Sequence, residues 1–182
     1  MKLLRKWRAK GHGIHSPFAY SLITNVIHSP HRYYAFSDLE EMFPESVLQN
    51  KSTMAFHRLS FRLAHHFKVT RVLEIGATDG VNATFIEATG KETCCTSVIN
   101  KDDTFDAIFI YTNNDDELPN VETLLSLSHD DTFWVVRSII NRQGKQFWRN
   151  IIADERVRAT FDVTETGIIF LQPMLHKLNY RV

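Results

Sequence analysis

The 182-residue chain is poor in the residues that mark special protein classes: two cysteines, seven glycines, five prolines, and a formal charge of +0. Two cysteines cannot build the disulfide framework of a small secreted domain. Scarce glycine and proline exclude collagen-like and low-complexity chains. With no excess charge of either sign, nothing global points to nucleic acid or a membrane surface as partner. No apolar run reaches the roughly 18 residues of a membrane span. The basic start leads into Gly11-His12-Gly13, not into the apolar core of a signal peptide, so the expected location is cytoplasmic. At 43% hydrophobic and 23% charged, a chain this long buries a self-supporting core without metal or crosslink. Cys94 and Cys95 lie where no ligand spacing surrounds them. They read as buried thiols on opposite faces of a strand.

What is present is segregated. Lys2, Arg5, Lys6, Arg8 and Lys10 crowd the start, and acids from Asp102 to Asp131 crowd the middle. The first third reads as helical. Ser16-Pro17 is a cap followed by proline at the first helical position, and Phe18, Leu22 and Val26 with Ala19, Ile23 and Ile27 form one apolar stripe ended by Pro30. The basic segment before it reads as a mobile tail. Ser37-Asp38-Leu39-Glu40 has capping-box spacing for a short helix stopped by Pro44. A longer helix follows over about 52–67, with Phe56, Leu59, Leu63 and Phe67 inward.

At Thr70 the period changes. Strands are expected at 71–75, 93–99, 105–111 and 132–138, alternating with helices at 81–89, 118–128 and 142–153, which implies a parallel sheet with right-handed crossovers. Strands at 157–163 and 167–173 are joined by Thr164-Glu165-Thr166, too short for a crossover, so the sheet ends in an antiparallel hairpin. The organisation is one domain, 1–182: a helical cap over 1–69 and an α/β core over 70–182.

The turn Gly76-Ala77-Thr78-Asp79-Gly80 after the first strand is the richest signal. Glycine at the end of a parallel strand lets a ligand approach the backbone, and the next helix offers N–H groups and a positive dipole end. The spacing is G-x-x-x-G, not the dinucleotide fingerprint, and Asn82 stands where another glycine belongs.

"VLEIGATDG" resembles the first motif of the class I S-adenosylmethionine-dependent methyltransferases, in the version seen in small-molecule O-methyltransferases. "FDAIFI" is similar to that family's fourth strand, and "VRATFDVTETGIIFLQP" to its strands six and seven. The opening "GHGIHSPFAYSLITNVI" resembles a group of small bacterial proteins of this kind. The resemblance implies a three-layer Rossmann-like sheet, mostly parallel with an antiparallel C-terminal hairpin, behind N-terminal helices that form an acceptor lid close to Gly76. It implies S-adenosylmethionine as cofactor, with Glu74, Gly76, Ala77, Thr78 and Gly80 around its methionine end and Asn100 near the ribose.

Two departures weaken the implied site. The family ends its second strand on an acid that holds both ribose hydroxyls, whereas this strand is expected to end at Asn100, with Asp102 and Asp103 as substitutes. Only Asn100 to Thr104 separate it from "FDAIFI", so the family's third strand and the adenine wall it carries are missing. The expected order in family numbering is 2-1-4-5-7-6.

Metal ligation is not expected. Ile110 to Asn114 and Val136 to Ile139 do not supply the roughly six oxygens Mg²⁺ requires, and Asp115 and Asp116 open an acidic loop. His12 and His15 lack a third ligand for zinc. His15 is the one catalytic candidate, as a general base, against the alternative that it packs beneath the Ser16 cap; His65 and His66 are expected at the surface. Three functions compete. The first is a methyltransferase-like protein whose cofactor binding and catalysis are weakened or lost, acting as an interaction or regulatory module. The second is an active O-methyltransferase on a small molecule. The least favoured is a nucleic-acid binder using the basic N-terminal arm. A small-molecule acceptor, a protein partner and a homo-oligomer all remain open, and no membrane partner is expected.

Overall fold

Short apolar runs bounded by charged or turn residues form seven strands of one sheet in the computed structural model, which describes residues 2–112 and 117–182. The strands are β1 (Arg71–Ile75), β2 (Cys94–Thr96), β3 (Phe105–Tyr111), β4 (Ser128–Arg137), β5 (Ala159–Val163), β6 (Thr166–Phe170) and β7 (Leu178–Arg181). Their order is β2-β1-β3-β4-β6-β5-β7. Every neighbouring pair is parallel except those involving β6, which runs against β4 and β5. This is the expected order 2-1-4-5-7-6 with a further strand, β7, beside β5. No strand lies between Asn100 and Phe105.

The chain divides into two compact units. A helical unit holds residues 1–68 and 79–93, and a sheet unit holds 69–78 and 94–182.

In the sheet unit, α7 (Val121–Ser126) and α8 (Arg142–Ala153) share a core with one face of the sheet. Leu73, Ile108, Ile110, Trp134, Val136 and Ile169 meet Leu124, Phe147 and Ile151 there. The near-continuous apolar sequences of β3 and β4 follow from this burial, because central parallel strands lack a solvated face. Trp134 is fully buried and still satisfies its indole, whose Nε1 donates to Ser128 Oγ at 2.9 Å. Gly167 in β6 lies so close to Trp148 that an added Cβ would come within 2.3 Å of the indole ring. Glycine marks this close approach.

In the helical unit, Ser16 caps α2 (Pro17–Leu22) by accepting from the Ala19 N–H at 3.3 Å, and the helix continues as a π-helical turn over Ile23–Ile27. Ala19, Leu22, Ile23, Val26 and Ile27 are buried as the stripe predicts, with Phe18 half-buried. α5 (Lys51–Phe67) starts on an Asn50 cap and ends on Lys68 in the left-handed region. Leu39, Met54, Phe61, Val81 and Phe85 form one core cluster of this unit, drawing on α3 (Ala35–Glu41), α5 and α6 (Val81–Glu87).

Several local expectations are corrected. The basic start, read as a mobile tail, contains helix α1 over Lys2–Arg8, and Trp7 of that helix stacks on His12 with ring centroids 5.2 Å apart. Ser37 does not cap α3, which begins two residues earlier behind Tyr34; the helix ends at Glu41, ahead of Pro44 as expected, and Pro44 then precedes a separate short helix, α4 (Glu45–Leu48). The second strand is three residues long rather than seven: the chain bends at Ser97 and leaves β1, which itself runs on to Ile75, and Ser97 to Asn100 are exposed. Cys94 is therefore exposed and Cys95 half-buried at an edge strand, not buried thiols. β4 starts four residues early, at Ser128, where a register shift against β3 absorbs the acidic stretch between Phe105 and Ala107 pairings.

Candidate functional site

Parallel strands end together at their carboxyl edge, and side chains two residues apart share a face. Leu73, Ile75, Ile108, Ile110, Trp134 and Val136 face α7 and α8, so Glu74, Tyr111 and Arg137 share the opposite face. Tyr111 is level with Arg137 across the β3–β4 pairing, and Glu74 with Phe109 across β1–β3. The result is a polar row at the edge where open α/β sheets bind ligands.

Glu74 is buried and its Oε1 accepts from the Tyr111 hydroxyl at 2.8 Å. Arg137, whose side chain is 12% exposed, pairs with Glu165 of the β5–β6 turn, Nη1 to Oε2 at 3.4 Å. Burial pulls the Arg137 pKa down, and the charges of Glu165 and then Tyr111 oppose that shift. A buried carboxylate is tolerated only when charge-assisted donors hold it. Here Tyr111 supplies one, and the Arg137–Glu165 pair balances its own charge nearby. The row can orient a carboxylate toward a ligand's donor without a metal.

Behind it, Thr112 is buried at the end of β3, and its hydroxyl is shared between the carbonyls of Arg137 at 2.8 Å and Ser138 at 3.0 Å. Asn141 ties this edge to α8: its Nδ2 donates to the Thr112 carbonyl at 3.0 Å and its Oδ1 accepts from the Gly144 N–H at 2.6 Å.

Glu74, Gly76, Ala77, Thr78 and Asn100 belong to the sheet unit; Gly80 and His15 belong to the helical unit. Gly76 has φ of 80°, a turn conformation that favours glycine directly after β1. Ala77 is half-buried and Thr78 exposed. Gly80, at φ 67°, precedes α6, where Asp79 Oδ1 accepts from the Val81 N–H at 3.1 Å. That first-turn N–H already has a carboxylate partner. Asn82 is buried rather than facing a ligand turn: its Oδ1 accepts from His57 Nδ1 at 3.2 Å, while the imidazole stacks on Phe85.

Asn100 does not end a strand. It opens an exposed turn in which its backbone N–H and its Nδ2 both donate to Asp103 Oδ2, at 2.8 and 3.1 Å. Asp103 Oδ1 accepts from Arg71 at 2.6 Å, and these bonds hold the Asp103 carboxyl below the usual carboxylate range. Asp102 is exposed at φ 66°.

His15 is exposed, so the expectation that it packs beneath the cap is overturned, and it makes no hydrogen bond or ion pair with the described residues. His65 and His66 are exposed as expected. Among the described residues no group of three His, Cys, Asp or Glu side chains is placed to hold a metal, and Asp115 and Asp116 lie outside them. Sequence reasoning singled out Glu74 but not Tyr111, Arg137 or Glu165. The signal was there: two of the three close strand runs at the edge of Gly76, on the period-two face of Glu74.

No protein-family model matches the chain, and no curated protein matches it. Solved structures do. A SAH-bound methyltransferase from Podospora anserina, PaMTH1, superposes with a TM-score of 0.52 over 87% of this chain and 97% of that one, at 12% identity. The fold is methyltransferase-like. An O-methyltransferase described as such provisionally, from Klebsiella pneumoniae, matches at 14% identity and TM-score 0.45 over 93% of this chain and 96% of its own. The mitomycin 7-O-methyltransferase MmcR matches at 10% identity and TM-score 0.37, over 84% of this chain and 69% of its own. At such identities the likeness concerns the fold. Within the methyltransferase-like fold, Glu74 and Gly76 stand at the carboxyl edge of β1 and Asn100 beyond β2. The described residues contain no helix long and apolar enough to cross a membrane.

Proposed function

We propose that this methyltransferase-like protein has a weakened or lost S-adenosylmethionine site and acts as a non-catalytic interaction or regulatory module. The observation that carries the reading is the turn after β2. A ribose diol is held best by a carboxylate free to accept from both hydroxyls, and the half-buried acid there, Asp103, is already engaged by Asn100 and Arg71. Asn100 in turn spends its amide on Asp103. The methionine end retains the Gly76 turn and the buried Glu74, so the residues fit one end of the cofactor and not the other.

Hydrogen bonds to charged groups contribute about 1.5–3 kcal/mol, so losing the ribose acceptor alone removes roughly one to two decades of affinity. Without a third strand between β2 and β3 the adenine lacks a wall as well. Calorimetric titration with S-adenosylhomocysteine tests this: binding in the millimolar range, about 4 kcal/mol, is expected, and a dissociation constant below about 10 μM, near 7 kcal/mol, overturns it.

A second reading, an active O-methyltransferase on a small molecule, is favoured by one feature. The polar row of Glu74, Tyr111 and Arg137 is complete at the carboxyl edge, and methyl transfer needs mainly orientation of a nucleophile against the methyl donor. Micromolar S-adenosylhomocysteine binding selects this reading over the first.

A further inference from the structure

The helical unit holds a polar cavity of about 440 Å³ between the 29–37 segment and α5. Its charge is unbalanced. Arg32, Arg58 and Arg62 line it with His31, and the single lining carboxylate, Glu40, is taken by Arg58, whose Nε donates to Glu40 Oε1 at 2.8 Å. Arg58 and Arg62 lie four residues apart and so on one face of α5.

Arg62 is half-buried. Its Nε donates to the Val26 carbonyl at 2.6 Å and its Nη2 to the Ile27 carbonyl at 3.1 Å, closing the end of the π-helical turn. Those bonds explain the position of the side chain but leave its charge without a counterion. No carboxylate pairs with Arg62 among the described residues, and its Nη1 makes no hydrogen bond with them. Burial and then the neighbouring Arg58 charge both depress its pKa, while Tyr33 opposes them. A cation that is partly desolvated and faces another cation is stabilised by an added anion. Arg32 is exposed and makes no hydrogen bond or ion pair with the described residues, so it is available to the same anion.

We propose that this cavity binds a small phosphomonoester, its phosphoryl group held by Arg62, Arg58 and Arg32 and its organic portion against Tyr33 and Phe36. Guanidinium forks match the tetrahedral oxygens in bidentate fashion. The uncompensated charge of the two unpaired arginines matches a phosphomonoester dianion, whose second pKa is about 6, better than a monocarboxylate. The volume falls within the roughly 300–1,000 Å³ of small-molecule sites. The site lies wholly within the helical unit and stands or falls independently of the cofactor reading.

Calorimetry on the full chain at pH 7.5, with phenyl phosphate, inorganic phosphate, benzoate and phenol as titrants, tests it. Saturable binding of phenyl phosphate is expected, at least about tenfold tighter than benzoate, with phenol silent. Inorganic phosphate should bind more weakly by the lost ring contacts; equal affinity would place the phosphoryl group alone in the site and overturn the aromatic part of the proposal. Arg62→Gln could release the Val26 and Ile27 carbonyls and unfold the turn, so Arg32→Ala and Arg62→Lys are measured beside it, with circular dichroism as the folding control. Arg32→Ala should weaken phenyl phosphate about tenfold, and Arg62→Lys should lose affinity by a similar factor although it keeps the charge. Absence of saturable binding, equal affinity for benzoate, or binding unchanged in both folded variants overturns the proposal.

Discussion

The Tyr111 hydroxyl donates to the buried Glu74 carboxylate at 2.8 Å, joining the ends of two adjacent parallel strands. A residue that the sequence marks for a ligand thus has a protein partner of its own. Tyr111→Phe removes that donor and keeps the ring. Because a buried charged acceptor then loses a partner, urea unfolding should show a loss of about 1–3 kcal/mol. A change below the error of extrapolation would mean that other donors hold Glu74 equally well.

Gly144 sits in the first turn of α8 directly over the backbone of the β4–α8 connection. A Cβ there would lie 2.2 Å from the Ser138 carbonyl oxygen and 2.7 Å from Thr112 Oγ1. Backbone cannot swing aside as a flexible side chain can. Gly144→Ala should therefore cost about 3 kcal/mol, the upper end of ordinary overpacking, despite alanine's better helix propensity. Thermal unfolding of the variant checks this, and a stabilised Gly144→Ala would refute the close approach.

Asp154 ends α8, where its carboxylate accepts from the Arg156 side chain and backbone N–H. The hydrogen bonds from the Arg156 side chain, with burial opposing, bring its pKa down from 3.8 to about 2. A lowered folded-state value means that the stabilisation is present above the unfolded pKa and is lost as pH falls through the folded one. The stability difference between the natural chain and Asp154→Asn should be flat above pH 3.8 and shrink on acidification toward about 2. A difference that is constant across that window contradicts the pairing. Its size stays small, since the partner arginine is exposed and screened.

Cys94 is exposed at the edge strand and Cys95 is half-buried. Iodoacetamide under native conditions should label Cys94 well before Cys95, as read by peptide mass spectrometry. Two thiols that react only after denaturation would restore the buried reading drawn from their sequence.

Most of the sheet was legible from the sequence, because buried parallel strands are nearly continuous apolar runs, and "VLEI", "FDAIFIY" and "FWVV" are such runs broken only by Glu74 and Asp106. The Ser16-Pro17 cap and the stripe behind it were legible for the same reason: cap chemistry and helical periodicity are local. β2 was read too long because Val98 and Ile99 look like strand residues, yet the chain bends at Ser97 and leaves β1 before reaching them. β7 escaped although Lys177 to Val182 alternates polar and apolar residues, because so short a run at the end of the last apolar stretch becomes a strand only where β5 offers it an edge. The site divided along the same line. Glu74 and Gly76 could be named from their motif, since a strand–turn–helix is contiguous in sequence, whereas Asn100 was named only as the expected end of a strand that stops at Thr96. That Tyr111 grips Glu74, that Arg71 reaches Asp103, and that three arginines share a cavity with one carboxylate were decided by the tertiary structure alone. Hydrogen bonds and charge pairs between residues tens of positions apart depend on register and packing, and no local pattern in the sequence records them.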